Sequence, residues 1–195
     1  MKKGILPILF LALICLFGCA SNNSSKYYPL RLGNYWIYRA NDTGVDVGKM
    51  TVKIVKTIHR LDRDWYLGAI SGGGSNGKGD YSCVGVNDKG VWQTSYSSIK
   101  DQFTANVRLI VPKRIEQSDV WVQNEGETSK ILGYEDVVTP AGEFSNCLKV
   151  VTTYGYSDIY YVYWYAPHVG LVKLYFAAPS IGGYMINELI DYNVN

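Results

Sequence analysis

Two histidines, four cysteines and one glycine-rich stretch are where side-chain chemistry would first be sought in this 195-residue chain. His59 and His168 have no second histidine and no cysteine at metal-ligand spacing, so no zinc site and no other metal or cofactor is expected. A Ser-His-Asp set can be assembled from distant residues in almost any chain and carries no weight by itself. His59 lies near Asp62 and Asp64, which solvated charges at a strand end explain equally well. Gly72-Gly73-Gly74-Ser75-Asn76-Gly77-Lys78 has the spacing of a phosphate-binding loop. The next residue is Gly79, where the magnesium-binding Ser or Thr would stand, and no helical pattern follows to aim amides at a phosphate. That stretch reads as a hairpin loop, and no catalytic residue is expected anywhere in the chain.

The chemistry that does stand out belongs to Cys19. Met1-Lys2-Lys3 is basic, and Ile5 to Phe17 is apolar apart from Pro7. Those thirteen residues would span roughly 20 Å as a helix, short of the roughly 30 Å hydrocarbon core, so they read as an export signal rather than a transmembrane span. Leu16-Phe17-Gly18-Cys19 resembles the lipobox of bacterial lipoproteins, in which the cysteine thiol takes a diacylglyceryl group before the leader, here residues 1–18, is cut away. Thiol chemistry suits this because the thiolate is the nucleophile. Phe17 is bulkier than the usual residue at its position. An ordinary secretory signal with an incidental cysteine is the plainer alternative, and Cys15 shows that the signal tolerates one. Ala20 to Lys26 is small and polar, as a flexible tether over 19–27 would be. The absence of aspartate after Cys19 resembles an outer-membrane destination, periplasmic side, if the host has two membranes.

Composition bounds the rest. The chain has 19 basic and 17 acidic residues, and removing Lys2 and Lys3 with the leader leaves 17 of each. No nucleic-acid footprint and no polybasic membrane patch survives that subtraction, so the partners expected are a membrane, reached through the N-terminal lipid, and no nucleic acid. Cys83 and Cys147 remain. Export would allow a disulfide between them, and closing 64 residues is worth about 4 kcal/mol in the chain-entropy model; two separate buried thiols acting as small apolar residues are the alternative.

Seventeen tyrosines against three methionines, with abundant Val, Ile and Thr, favour strands. Expected strands run over 35–39, 49–59, 64–71, 81–86, 90–95, 104–111, 120–124, 129–139, 143–154, 159–165, 170–176 and 184–192. Met50, Val52, Ile54 and Ile58 share a face by period-2 alternation, interrupted only by Lys56. Asn87-Asp88-Lys89-Gly90 reads as a tight hairpin turn with Gly90 at positive φ, and Pro140-Ala141-Gly142 as another. Successive strands with short links predict an all-β antiparallel meander over 28–195, forming a curled sheet or open half-barrel. A weak repeat relates 28–100 to 101–195 through Pro29–Leu32 before Trp36 and Pro112–Ile115 before Trp121, which allows two similar halves.

In the stretch from Tyr154 to Tyr165, Ile159, Tyr161, Tyr163 and Tyr165 fall on one face and Tyr160, Val162 and Trp164 on the other. Tyr161, Tyr163 and Tyr165 are a candidate ligand face, a concave aromatic surface that stacks on sugars, lipids or an extended peptide. A central strand buried on one side, with tyrosine hydroxyls reaching water on the other, accounts for the same pattern.

Thr139-Pro140-Ala141-Gly142-Glu143-Phe144, Cys147-Leu148-Lys149-Val150 and Trp164-Tyr165-Ala166-Pro167-His168-Val169-Gly170-Leu171-Val172-Lys173 resemble a pattern shared by uncharacterised bacterial envelope lipoproteins, a family known as a domain of unknown function. The opening Tyr28-Pro29-Leu30-Arg31-Leu32-Gly33-Asn34-Tyr35-Trp36-Ile37-Tyr38 is similar to their first strand. His168 stands where that pattern leads one to expect glycine. The resemblance implies a secreted β-rich fold and brings no catalytic residue. The expectation is a lipid-anchored cell-envelope module that binds or builds without catalysis, with a carrier of lipid or acyl chains and an envelope hydrolase as alternatives.

Overall fold

A computed structural model describes residues 24–61, 63–72, 80–97, 102–103, 107–117, 119–124 and 126–195. Cys19, the expected leader over 1–18 and most of the glycine-rich stretch lie outside the described residues. Among those described there is no α-helix; thirteen strands form one antiparallel sheet that does not close. The first half comprises β1 (Tyr35–Asp42), β2 (Val45–Arg60), β3 (Arg63–Gly72), β4 (Asp80–Asn87), β5 (Gly90–Ser97), β6 (Gln102–Phe103) and β7 (Arg108–Pro112). The second comprises β8 (Val120–Asn124), β9 (Glu127–Thr139), β10 (Gly142–Tyr154), β11 (Tyr160–Ala166), β12 (Gly170–Ala178) and β13 (Gly183–Asn193). The all-β meander expected from the sequence is the fold observed. Of the expected strand 104–111, residues 104–106 lie outside the described residues and the rest corresponds to β7, while β6 precedes it; both β6 and β7 pair with β5.

Strand order is β6-β5-β4-β3-β2-β1-β13-β12-β11-β10-β9-β8, with β7 beside β5. Two meanders therefore meet in the middle of the sheet, where the first strand pairs with the last, Tyr35 opposite Asn193 and Asp42 opposite Met185. Short turns make this possible. Asp88-Lys89 links β4 to β5, with Gly90 at φ +146°, and Pro140-Ala141 links β9 to β10.

Bulges shape the sheet. In β2 one extra residue, Val55, interrupts the register with β3 between Ile54 and Lys56. Before it, Val52 lies opposite Ile70 and Ile54 opposite Gly68; after it, Lys56 lies opposite Leu67 and Ile58 opposite Trp65. The insertion shifts the alternation by one, so Ile58 does not share a face with Met50, Val52 and Ile54 as strict period-2 reading predicts. Lys56 consequently lies on the other face and interrupts nothing.

The curled sheet buries apolar side chains on both faces. Trp65, Leu67, Cys83 and Tyr96 form a cluster against Phe103 on the outer face of β3–β5. Within the curl, Val91, Val111, Ile131, Leu148, Val150 and Tyr165 pack with Tyr27. Tyr27 belongs to a strap ahead of β1: residues Ser24–Tyr27 form a 3-10 turn, and Ser24 and Tyr27 are 1% and 0% exposed. The strap is stitched down by Ser24 N–H to the Lys113 carbonyl (3.1 Å), His168 N–H to the Lys26 carbonyl (2.6 Å) and Gly33 N–H to the Ile54 carbonyl (2.9 Å). Residues 24–27, expected within a flexible tether over 19–27, are instead part of the fold, because Tyr27 finds an apolar site and carries its neighbours with it.

Cys83 and Cys147 are free and buried in different clusters, the second beside Phe144, Ala166 and Val172. The disulfide is not formed, and each thiol serves as a small apolar side chain.

Candidate functional site

The concave face is the candidate site because alternation aims side chains from nine segments at one space. From β1 come Trp36 and Tyr38; from β2 Met50, Val52 and Ile54; from β3 Gly68 and Ile70; from β4 Ser82 and Val84. β5 adds Gln93, β7 adds Ile110, β11 adds Tyr163 and Tyr165, β12 adds Gly170 and Leu171, and the strap closes one end with Tyr28, Pro29 and Leu30. Together they line a half-open cavity of about 210 Å³. The sheet does not fill its own concavity.

The Val55 bulge is what keeps Met50, Val52 and Ile54 facing inward while Ile58 serves the outer cluster. On β1 the two aromatic residues are fixed by their polar tips: Trp36 Nε1–H donates to the Val169 carbonyl (2.6 Å), and the Tyr38 hydroxyl donates to the Leu171 carbonyl (2.9 Å). Both bonds cross from β1 to the β11–β12 corner, where His168 takes the left-handed conformation at φ +63°. A glycine would be at ease there, which explains why that residue is the natural expectation; histidine tolerates the region better than a branched residue would.

Tyr161, Tyr163 and Tyr165 form a ladder along β11, with successive ring centroids 6.0 Å apart and interplanar angles of 15° and 12°. Tyr163 and Tyr165 line the cavity, and Tyr161 extends the stack beyond it, against Phe176. The strap supplies a further ring, Tyr28, 5.0 Å from Tyr165. The Tyr28 hydroxyl is buried and makes no hydrogen bond of acceptable geometry, although the Tyr165 hydroxyl is its close neighbour. Burial pushes the hydroxyls of Tyr28, Tyr38 and Tyr163 well above the ordinary phenol value, and that of Tyr165 up to about 12. These phenols are neutral hydrogen-bonding groups at physiological pH.

A polar recess of about 20 Å³ adjoins the cavity, and Gln93, Ile110, Tyr163 and Tyr165 line both. Its other walls are Arg108, Glu127, Val150 and Thr152. Arg108 Nη1 donates to Glu127 Oε1 (2.8 Å) and Nη2 donates to Gln93 Oε1 (3.1 Å). Gln93 in turn donates to Ser82 Oγ (3.3 Å), and the Tyr154 hydroxyl lies 3.4 Å from Glu127 Oε1. Thr152 is bonded to Ser129 (2.7 Å). Burial alone would lower the Arg108 pKa; Glu127, then Tyr163 and Tyr154, outweigh it, and the guanidinium is held more firmly charged than usual. The Glu127 side chain is only 8% exposed and that of Arg108 30%, so the two form a partly buried, mutually neutralised ion pair.

The residues sought first for chemistry lie elsewhere. His59 Nδ1 is 2.8 Å from Asp64 Oδ1 on the exposed β2–β3 hairpin, where the two side chains are 72% and 60% exposed. His168 is exposed at its turn. Neither lines the cavity. Among the described residues no three of His, Cys, Asp and Glu are gathered as a metal site. Gly73-Gly74-Ser75-Asn76-Gly77 also spells the Gly-x-Ser-x-Gly spacing of a nucleophile elbow, which needs a strand before it and a helix after it. Among the described residues, β3 ends at Gly72 and the next element is strand β4. Sequence reasoning missed Arg108, Glu127 and Gln93, which are far apart in the chain and share no motif; only the curl of the sheet unites them.

A scan of protein-family models finds no match, and neither does a search of curated proteins. Among solved structures, a Bacteroides fragilis "putative exported protein" with a YmcC-like fold is 14% identical, with a TM-score of 0.49, covering 85% of this chain and 97% of its own. A "putative lipoprotein" from Parabacteroides distasonis is 16% identical, with a TM-score of 0.46, over 86% of this chain and 98% of its own. A DUF1329 family protein from Desulfovibrio piger is 10% identical, with a TM-score of 0.30, over 83% and 84%. At these scores the likeness bears on neither ligand nor location.

Proposed function

We propose that this protein is a lipid-anchored, non-catalytic binding module of the cell envelope, and that its curled sheet holds an apolar ligand in the concave cavity. The observation that carries the binding reading is the open space itself. A domain built only for structure gains by filling its core, since each void forfeits contact energy, yet here about 210 Å³ remains among Trp36, Val52, Ile70, Val84, Ile110 and Leu171. By comparison with a 150 Å³ cavity that accepts benzene, this volume suits roughly eight carbons, a short acyl chain or part of a longer one. That places the carrier alternative within the same proposal, with the cavity as its hold. The exposed positions of His59 and His168 favour binding over hydrolysis.

Anchoring rests on Cys19. Ala20 to Asn23 are all that separate it from Ser24, a reach of at most about 18 Å, so a lipid on Cys19 sets the strap end of the body toward the membrane. Labelled palmitate is expected to enter the wild-type protein and not Cys19→Ala; label in both, or in neither, removes the anchor. For the cavity, native mass spectrometry after gentle extraction should show a co-purifying apolar mass that Val84→Phe, which narrows the space, loses. A bare protein mass in both would sink the binding reading.

A further inference from the structure

Resting on that reading, we infer that the ligand is an uncharged amphiphile with a single-oxygen head, an alcohol or carbonyl, seated in the recess formed by Gln93, Arg108, Glu127 and Thr152. Size argues first. The recess measures about 20 Å³, and a water needs roughly 10–15 Å³ by the same kind of measure, so one hydroxyl or carbonyl oxygen fits and a phosphate does not. Charge argues second. Arg108 alone would draw a carboxylate, but Glu127 already satisfies it at 2.8 Å and is itself buried. An incoming anion would meet both partners of the pair; attraction and repulsion largely cancel, and the cost of removing the anion from water stands uncompensated. A neutral oxygen avoids that cost, and Arg108, with five N–H groups, has donors beyond the two given to Glu127 and Gln93.

The test uses the full-length protein in its own membranes and two eight-carbon alkyl diazirine probes, one ending in an alcohol and one in a carboxylate. After photolysis at pH 7.5, labelled peptides are mapped, and labelling is counted per molecule of probe found in the same membranes, which removes unequal partitioning. The expected result is labelling around Ile110 and Tyr163 by the alcohol, at least tenfold above the acid. Glu127→Gln, which leaves Arg108 uncompensated, should bring the acid level with the alcohol or above it. Equal labelling of the wild type by both probes, or preference for the acid, overturns the neutral-head inference while leaving the apolar cavity in place. Labelling of cavity residues by neither probe sinks the binding reading itself. The wild-type comparison decides the matter even if Glu127→Gln fails to fold.

Discussion

Cys83 and Cys147 show how burial turns a reactive residue into a structural one. Burial pushes the Cys83 thiol up to about 12; the Cys147 thiol rises to about 11, through burial first and then the nearby Asp136 and Glu135 carboxylates. Both side chains are fully buried, so neither offers a thiolate to an oxidant. The linkage has a definite sign. From about pH 9, unfolded thiols release protons that the folded protein retains, so the folded state loses stability as pH rises. Below that pH the contribution is intact. Above about pH 9 each thiol should contribute up to about 1.4 kcal/mol per pH unit to the slope, and the buried tyrosines add to it with the same sign as the unfolded phenols titrate. Urea melts from about pH 8 to about pH 10 check it, beside a Cys83→Ala, Cys147→Ala variant in which the slope is shallower by the share of the two thiols. A flat profile for the wild type would mean that the thiols are solvated. Gly90 is a second position where one atom decides: a Cβ there would come 2.3 Å from the Val111 carbonyl oxygen. The turn-favouring glycine read from the sequence therefore also lets β7 lie close against β5.

At the scale of elements, the strap does most with least. Tyr27 is fully buried among Val91, Val111 and Ile115, while its hydroxyl makes no hydrogen bond of good geometry, although the Tyr134 hydroxyl is near it. Packing and polarity can therefore be separated by two substitutions. Tyr27→Ala should cost about 3–5 kcal/mol through the lost contacts and the void left behind. Tyr27→Phe should be neutral or stabilising by up to about 1 kcal/mol, since it removes only an unsatisfied group. Denaturant midpoints at constant m-value measure both, and a Phe variant as damaged as the Ala variant would show that the hydroxyl is bonded after all. The strap was invisible in the sequence because its composition is that of a linker; one tyrosine with a place to go outweighs several small polar neighbours. The strands were legible because alternation and turn residues are local signals: Val120–Asn124 matches its expected bounds, and both predicted turns are present. The inward-facing set of β2 was legible only as far as Ile54. A bulge changes which face a residue takes without changing any residue type, so Ile58 was assigned to the wrong side. The tyrosine ladder on β11 was legible as a pattern, but its place on a concave wall depends on sheet curvature, which no short window of sequence encodes.

The whole molecule is a sheet curled until its ends approach without joining. Its middle is sound: β1 and β13 pair over eight positions, so residues roughly 150 apart in the chain must meet before the two meanders become one sheet. Its ends are held differently. Among the described residues no ladder joins β7 to β8; the Trp121 indole N–H donates to the Leu109 carbonyl (2.8 Å), and Arg108 reaches across to Glu127 on β9. A seam closed by side chains opens more readily than one closed by a backbone ladder, and this seam borders the recess through Arg108 and Glu127. It is therefore where the half-open concavity can widen to admit a ligand. Trp121→Phe keeps most of the ring but deletes the donor and leaves the Leu109 carbonyl unsatisfied, a loss of about 1–2 kcal/mol confined to the seam. Hydrogen exchange should then quicken roughly 5- to 30-fold in β7 and β8 amides, with β1 and β13 amides unchanged. Equal acceleration in β13 would mean that the seam does not open apart from the whole fold.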